Sequence, residues 1–231
     1  MKKQIFILSL LLFFGIGVYA QPKAVGEPRV IAKMNEPLER PVWSPDGSKL
    51  FLNYGEWEVS ATGTNLRKVS NDAQLRATVC VNPLLQQMID KPVLVTSDVE
   101  VLKSLSGSII FNPVLSPQGD KIAFQASTKN GIFICDADCQ ADASSLRYFS
   151  QGDFPAWTSD GKYLVAHLEG NDGHSITKSE LISIDVATGA KDILFSSDKY
   201  IALSPAISPD GKKLAFEDYA SGTIYVMDIQ Q

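Results

Sequence analysis

"SPAISPDGKKLAFEDY" (Ser204–Tyr219) decides the fold, because near copies of this stretch occur three more times in the chain. The copies are RPVWSPDGSKLFLNY from Arg40, NPVLSPQGDKIAFQA from Asn112 and FPAWTSDGKYLVAHL from Phe154. They align without gaps as a proline, a large apolar residue two positions later, a four-residue turn and an apolar strand. A recurrence of this kind predicts a repeat architecture.

The four-residue turn has the composition of a β-hairpin turn. Ser or Thr bonds the backbone ahead of it, Pro presets φ, and Gly adopts the left-handed conformation that closes the hairpin. We therefore interpret the repeated acids as turn formers rather than as a carboxylate cluster. The turn residues with this structural role are Pro45, Asp46, Gly47, Pro117, Gly119, Asp160, Gly161, Pro209, Asp210 and Gly211.

Two further strands after each turn unit predict an all-β propeller of four-stranded antiparallel blades. Prolines open the four copies at positions 41, 113, 155 and 205, and the widest interval has room for an extra blade in which the turn signature is lost. We expect the strands of that blade within residues 76–105. Five blades are thus predicted, and a strand beginning at Pro28 is expected to close the last one.

Residues 1–20 have the regions of a secretory signal peptide: a basic start, an apolar run and small residues before Gln21. The run is shorter than the roughly 20 apolar residues of a membrane span, so we expect cleavage after Ala20 and no stable membrane insertion afterwards. Residues 21–231 are then a single domain. Loss of Lys2 and Lys3 lowers the formal charge from −5 to −7, which disfavours nucleic acid as a partner.

The P-x-W-S-P-D-G-x-K-L-A-F pattern resembles the propeller repeat of the TolB family, the periplasmic component type of the Tol–Pal envelope system. The resemblance concerns the propeller part only and extends over residues 28–231. It implies six blades as the alternative to five, a periplasmic location, and binding of envelope proteins.

No catalytic residue, cofactor or metal site is predicted. The chain has no G-x-S-x-G nucleophile elbow. Its two histidines are His167, expected at a strand end, and His174, expected in a long loop insertion at residues 169–180. The "NDGHS" stretch of that insertion lacks the spacing of a calcium loop.

Two residue types are interpreted as core residues. Trp43 and Trp157 share a repeat position with Leu115 and Ile207, which favours packing between blades. Cys135 occupies the position of an apolar residue in the other repeats, and we interpret it as a small core residue. A disulfide with Cys139 is the alternative, since a secreted protein can form one.

The face opposite the S-P-D-G turns is the predicted binding face, because it carries the links between blades and the loops between second and third strands. Loops carry function, and Arg and Tyr are favoured at interfaces. The function predicted is a non-enzymatic binding module for envelope proteins; the alternative is an enzyme or carbohydrate-binding protein that uses the channel. The candidate binding residues are Arg40, Tyr54, Phe154, His174, Tyr200 and Tyr219.

Overall fold

Four antiparallel four-stranded sheets make up the structure, a computed structural model that describes residues 21–69, 108–127, 129–138 and 143–230. Blade A contains β2 (Val42–Trp43), β3 (Lys49–Leu52), β4 (Trp57–Ser60) and β5 (Arg67–Lys68). Blade B contains β6 (Ile110–Leu115), β7 (Lys121–Ala126), β8 (Lys129–Asp136), a 3₁₀ turn (Ala143–Ser145) and β9 (Arg147–Ser150). Blade C contains β10 (Asp153–Trp157), β11 (Tyr163–Asn171), β12 (Ile176–Asp185) and β13 (Lys191–Ser196).

Blade D is built from both ends of the described chain. It contains β14 (Ala202–Ile207), β15 (Lys213–Asp218), β16 (Thr223–Gln230) and, as its outer strand, β1 (Lys23–Ala32). Strand β1 pairs antiparallel with β16, with Arg29 opposite Val226. The predicted closure by the N-terminal strand is therefore confirmed, although the strand begins five residues before Pro28.

The first strand of each blade packs beside the first strand of the next: β6 beside β10, β10 beside β14, and β14 beside β2. The blades therefore follow one another around a common centre in the order B, C, D, A, and their first strands line it. This arrangement confirms a propeller of four-stranded blades. The additional blade predicted within residues 76–105 and the signal peptide at 1–20 lie outside the described residues, so the count of five, or six, stays a prediction.

The core consists of apolar layers between successive blades. One layer joins A to D, a second joins B to C, and a third joins C to D. The second strands of blades C and D each contribute to two layers, because their side chains alternate between the two faces of the sheet. In blade D, Leu214 and Phe216 pack toward blade C, while Ala215 packs toward blade A.

The repeated tryptophans pack between blades, as expected. Trp43 lies in the layer that contains Ala215 of blade D, and Trp157 lies in the layer that contains Ala123 of blade B. Each indole N–H also donates to a backbone carbonyl of the neighbouring first strand, at 3.1 Å in both cases. In the layer between blades C and D, the facing residue is Val165, which is larger than alanine. The repeat position there holds Ile207, which is smaller than tryptophan. Large and small side chains thus compensate across each layer.

The S-P-D-G stretches form hairpin turns held by a repeated set of hydrogen bonds. In blade A, the Ser44 hydroxyl donates to Asp46 at 2.6 Å, and the Lys49 N–H donates back to the Ser44 hydroxyl at 3.0 Å. The bond from Ser44, together with bonds from the N–H and hydroxyl of Ser48, lowers the pKa of Asp46 to about 2. In blade B, Gln118 replaces the aspartate, and Asp120 accepts the Ser116 hydroxyl instead. The acids are therefore engaged within their own turns.

Two expectations about blades B and C need correction. Cys135 is 2% exposed, as a core residue should be, but it is disulfide-bonded, so the interpretation as a free core thiol is wrong. Cys80 and Cys139 both lie outside the described residues. The expected loop at residues 169–180 is mostly strand, because β11 and β12 continue as a paired hairpin with a turn at residues 172–175. His167 consequently lies inside β11 rather than at its end.

Candidate functional site at the channel mouth

One repeat position has an unusual backbone conformation in all four described blades. The residue before the opening proline is Arg40, Asn112, Phe154 or Ser204, and its φ lies between 49° and 53°. A positive φ is uncommon for residues other than glycine, and a following proline normally favours an extended conformation. In blades B, C and D the pairing of the first two strands also shifts register at this point. The first strand therefore bulges where it enters the central channel.

A buried polar side chain of the preceding blade accepts a hydrogen bond from the backbone N–H of the bulge residue. Gln125 accepts from Phe154 at 3.0 Å, His167 accepts from Ser204 at 3.3 Å, and Glu217 accepts from Arg40. The acceptors share one repeat position, directly after the apolar core of the second strand. We call this contact the interblade latch. It satisfies a buried donor that the bulge removes from regular strand pairing.

The Arg40 side chain lies across the channel between two aromatic rings. Its guanidinium carbon is 4.5 Å from the ring centre of Tyr54 and 4.6 Å from that of Phe154. Tyr54 belongs to blade A, whereas Phe154 belongs to blade C, on the far side of blade D. Cation–π contacts to two rings restrain the position of the guanidinium. The residues Arg40, Tyr54, Asn112 and Phe154 are called the channel mouth below.

A line of amides connects the Arg40 charge to a partly buried acid. Arg40 donates from Nη1 to the Asn112 side-chain oxygen Oδ1 at 3.4 Å, and Asn112 donates from its side-chain nitrogen to the Gln125 side-chain oxygen at 2.8 Å. Gln125 donates in turn to the Asp153 carboxylate. The channel mouth is thus hydrogen-bonded to two latch residues. Asn112 bonds to Gln125, and the Arg40 backbone bonds to Glu217.

Burial perturbs the ionisable groups of the latches. Desolvation raises the pKa of Glu217 and the pKa of Asp153, although the bonds from Arg40 N–H and from Gln125 oppose it. Desolvation lowers the pKa of His167 to about 4, because a buried imidazole resists protonation. His167 is therefore neutral at pH 7, and its Nδ1 is free to accept the Ser204 N–H.

The structure brings together Arg40, Tyr54 and Phe154 from the predicted binding face. Tyr200 instead packs in an aromatic cluster with Phe195, Phe216 and Tyr225. His174 is exposed at the tip of the β11–β12 hairpin, and Tyr219 is 51% exposed beside the turn after β15.

Sequence reasoning did not single out Asn112, Gln125 or Glu217. The available signal was the position after each second-strand core, which is polar in every copy of the repeat: Asn53, Gln125, His167 and Glu217. A polar residue kept at the end of a buried apolar run indicates a specific hydrogen-bond partner. Only the fold shows that the partners of Gln125, His167 and Glu217 belong to another blade.

Two negative findings concern the described part of the chain. Within it, His, Cys, Asp and Glu side chains form no group of three or more that could hold a metal ion. Its helical segments also include none with the length and hydropathy of a membrane span.

No protein-family model and no curated protein matches the chain. Solved structures that resemble it include a candidate TolB from Agrobacterium tumefaciens, at 20% identity and a TM-score of 0.41, with 86% of this chain and 60% of that chain covered. TolB from Acinetobacter baumannii is 15% identical, with a TM-score of 0.34 and coverage of 87% and 45%. An oligogalacturonate lyase in complex with manganese is 16% identical, with a TM-score of 0.38 and coverage of 89% and 52%.

The chain spans less than two thirds of the length of each of these structures. At identities of 20% or less and TM-scores below 0.5, these structures assign neither a family nor an activity to this chain. The class of the protein, a β-propeller, is defined by its own sheet topology.

Proposed function

We propose that this protein is a non-enzymatic binding module of the bacterial cell envelope, and that it binds a partner protein at the channel mouth. The observation that carries the proposal is the Arg40 guanidinium held between Tyr54 and Phe154, which come from separate blades. Arginine and aromatic side chains dominate the binding energy of many protein interfaces, particularly where they are partly buried and held in place. The envelope location is supported by the composition of residues 1–20 and by the repeat pattern.

The proposal is tested by affinity capture from envelope extract with the tagged protein and two variants. The mouth variant combines Arg40→Asn, Tyr54→Ser and Phe154→Asn. Asparagine is suitable because Asn112 occupies the same repeat position with the same positive φ. The control variant is Lys212→Gln, an exposed lysine in the S-P-D-G turn of blade D on the opposite face.

We expect a specific partner to be captured by the wild type and by the Lys212→Gln control, and to be lost from the mouth variant. Thermal unfolding of all three proteins checks that the loss does not reflect unfolding. Equal capture by a folded mouth variant would exclude the channel mouth as the binding surface.

An enzyme that uses the channel is the second candidate. The observation in its favour is that the pKa values of two carboxyl groups near the channel mouth, the buried Glu217 and the partly buried Asp153, are raised, which is typical of general acids. Glu217 accepts the latch hydrogen bond from Arg40, and Asp153 accepts a hydrogen bond from the latch residue Gln125. Both carboxylates therefore have a structural role. The binding module is therefore the function that the geometry supports better.

A further inference from the structure

We propose that the channel mouth is a carboxylate-binding site, in which the Arg40 guanidinium receives one carboxylate group of a partner polypeptide. This inference rests on the proposed function and names the chemistry that the site recognises. Its starting point is the way in which Arg40 is held: the guanidinium carbon lies over two aromatic rings, whereas the N–H donors lie along the edge of the group.

The donors at that edge are mostly unused by the described residues. A guanidinium has five N–H groups, and the bond from Nη1 to Asn112 at 3.4 Å is a long one. No carboxylate of the described chain forms a salt bridge with the Arg40 side chain. A planar cation that is restrained by aromatic contacts and keeps most of its N–H donors is suited to bind a carboxylate through two parallel hydrogen bonds.

The acids nearest to Arg40 do not take this role, because their oxygens are engaged elsewhere. Glu217 accepts the backbone N–H of Arg40 and a bond from Ser204, and Asp153 accepts from Gln125. Glu39 is exposed and precedes Arg40 in the chain. These charges still disfavour a multivalent anion. A singly charged carboxylate therefore suits the site better than a phosphate dianion does.

The carboxylate can come from an acidic side chain or from a chain terminus, and three small molecules separate these sources. Acetyl-glutamate N-methylamide carries only the side-chain carboxylate. Acetyl-glutamine carries only the terminal carboxylate. Acetyl-glutamine N-methylamide has nearly the same shape and no charge, and inorganic phosphate serves as the competing anion.

Each compound is titrated into the ¹⁵N-labelled protein, and NMR shifts are followed at the Asn112 side-chain amide, the Phe154 amide and the Arg40 Nε–H. We expect saturable shifts with one or both carboxylates, none with the neutral amide, and weakening as salt is added. Arg40→Asn should reduce the affinity at least about tenfold, whereas Lys212→Gln should leave it unchanged.

The inference is overturned by equal shifts with the neutral amide, by the absence of saturable shifts at these three groups, or by tighter binding of phosphate. The Arg40→Asn variant should fold, because the latch uses the backbone of residue 40 rather than its side chain. If it does not fold, the wild-type comparison of carboxylate with amide still decides the question.

Capture and titration together separate the two proposals. Loss of capture in the mouth variant without carboxylate preference leaves the proposed function standing and overturns the carboxylate site. Carboxylate-specific shifts with unchanged capture support the site and overturn the role of the mouth in partner binding.

Discussion

At the scale of single residues, the polar residue after the second-strand core joins blades B, C and D each to the next blade. Its partner is a backbone N–H, so the residue needs only to accept a hydrogen bond, and Gln, His and Glu all satisfy this need. Gln125 does not titrate, whereas His167 and Glu217 do. The latch of blade C therefore has a pH dependence that the latch of blade B lacks.

His167 should make stability increase with pH between about pH 4 and about pH 6.5. Because its folded pKa of about 4 lies below the ordinary value of 6.5, the unfolded chain binds more protons in this window, and acid favours unfolding. We expect His167→Gln, which reproduces the Gln125 latch, to remove a gain of roughly 2 kcal/mol between about pH 5 and about pH 7. Denaturant titration at several pH values measures it.

Glu217 and Asp153 act in the opposite direction, since a raised carboxyl pKa adds stability in acid that is lost as pH rises through the folded pKa. Both are present in the wild type and in the variant, so their contribution cancels in the difference. Parallel pH profiles for the two proteins would show that His167 is not linked to folding.

At the scale of elements, the β11–β12 hairpin differs from its counterparts. Pairing of β10 with β11 ends at His167, and pairing of β12 with β13 ends at Glu180, whereas β11 and β12 stay paired as far as Asn171 and Ile176. Residues 168–179 therefore project from blade C as a two-stranded ribbon. Most of their side chains are exposed, so the ribbon adds little to the core.

Replacing residues 170–178 by Asn-Gly should change the free energy of unfolding by less than about 1 kcal/mol. The replacement keeps Ser179, whose hydroxyl donates to the Ala202 carbonyl, and Asn-Gly suits a two-residue hairpin. Thermal unfolding measures the effect. As a control, the same replacement of residues 167–181, which joins the paired Ala166 and Ile182, removes His167 and the buried Leu181 and should destabilise the protein strongly. Equal destabilisation by both replacements would contradict this interpretation of the ribbon.

At the scale of the whole molecule, the propeller depends on contacts between residues that are far apart in sequence. Strand β1 supplies Ile31 and Ala32 to the layer between blades D and A. The N-terminal strand thus completes both the sheet of blade D and the packing of the next blade. Closure of this kind makes the two ends of the described chain stabilise each other.

Adjacent residues of β1 provide a test of closure. Ile31 is 3% exposed and Val30 is 54% exposed. Ile31→Ala should cost about 2–5 kcal/mol, while Val30→Ala should stay within about 0.5 kcal/mol, because only the first leaves a cavity in the core. Equilibrium unfolding in denaturant compares the two variants. Similar small losses would indicate that β1 is dispensable for stability.

Much of the fold could be predicted because the signals for its strands and turns lie within each repeat. The S-P-D-G turn, the apolar second strand and the strand starting near Pro28 depend on local backbone preferences and side-chain alternation, which the sequence displays directly. The interblade position of Trp43 and Trp157 followed from comparing copies. The length of the β11–β12 hairpin was missed, because exposed polar residues in a strand have the composition of a loop.

The channel mouth was predicted only in part, and the reason is physical. By itself the sequence determined the repeated strands and the turn that joins them, since these depend on neighbours within one repeat, and the number of residues at the two ends indicated the closing strand. Only the tertiary structure decided that Arg40 reaches Phe154, that Tyr200 packs against the core, and that Gln125, His167 and Glu217 bond to the next blade. These contacts join side chains many residues apart, and they exist only once the blades surround a common channel.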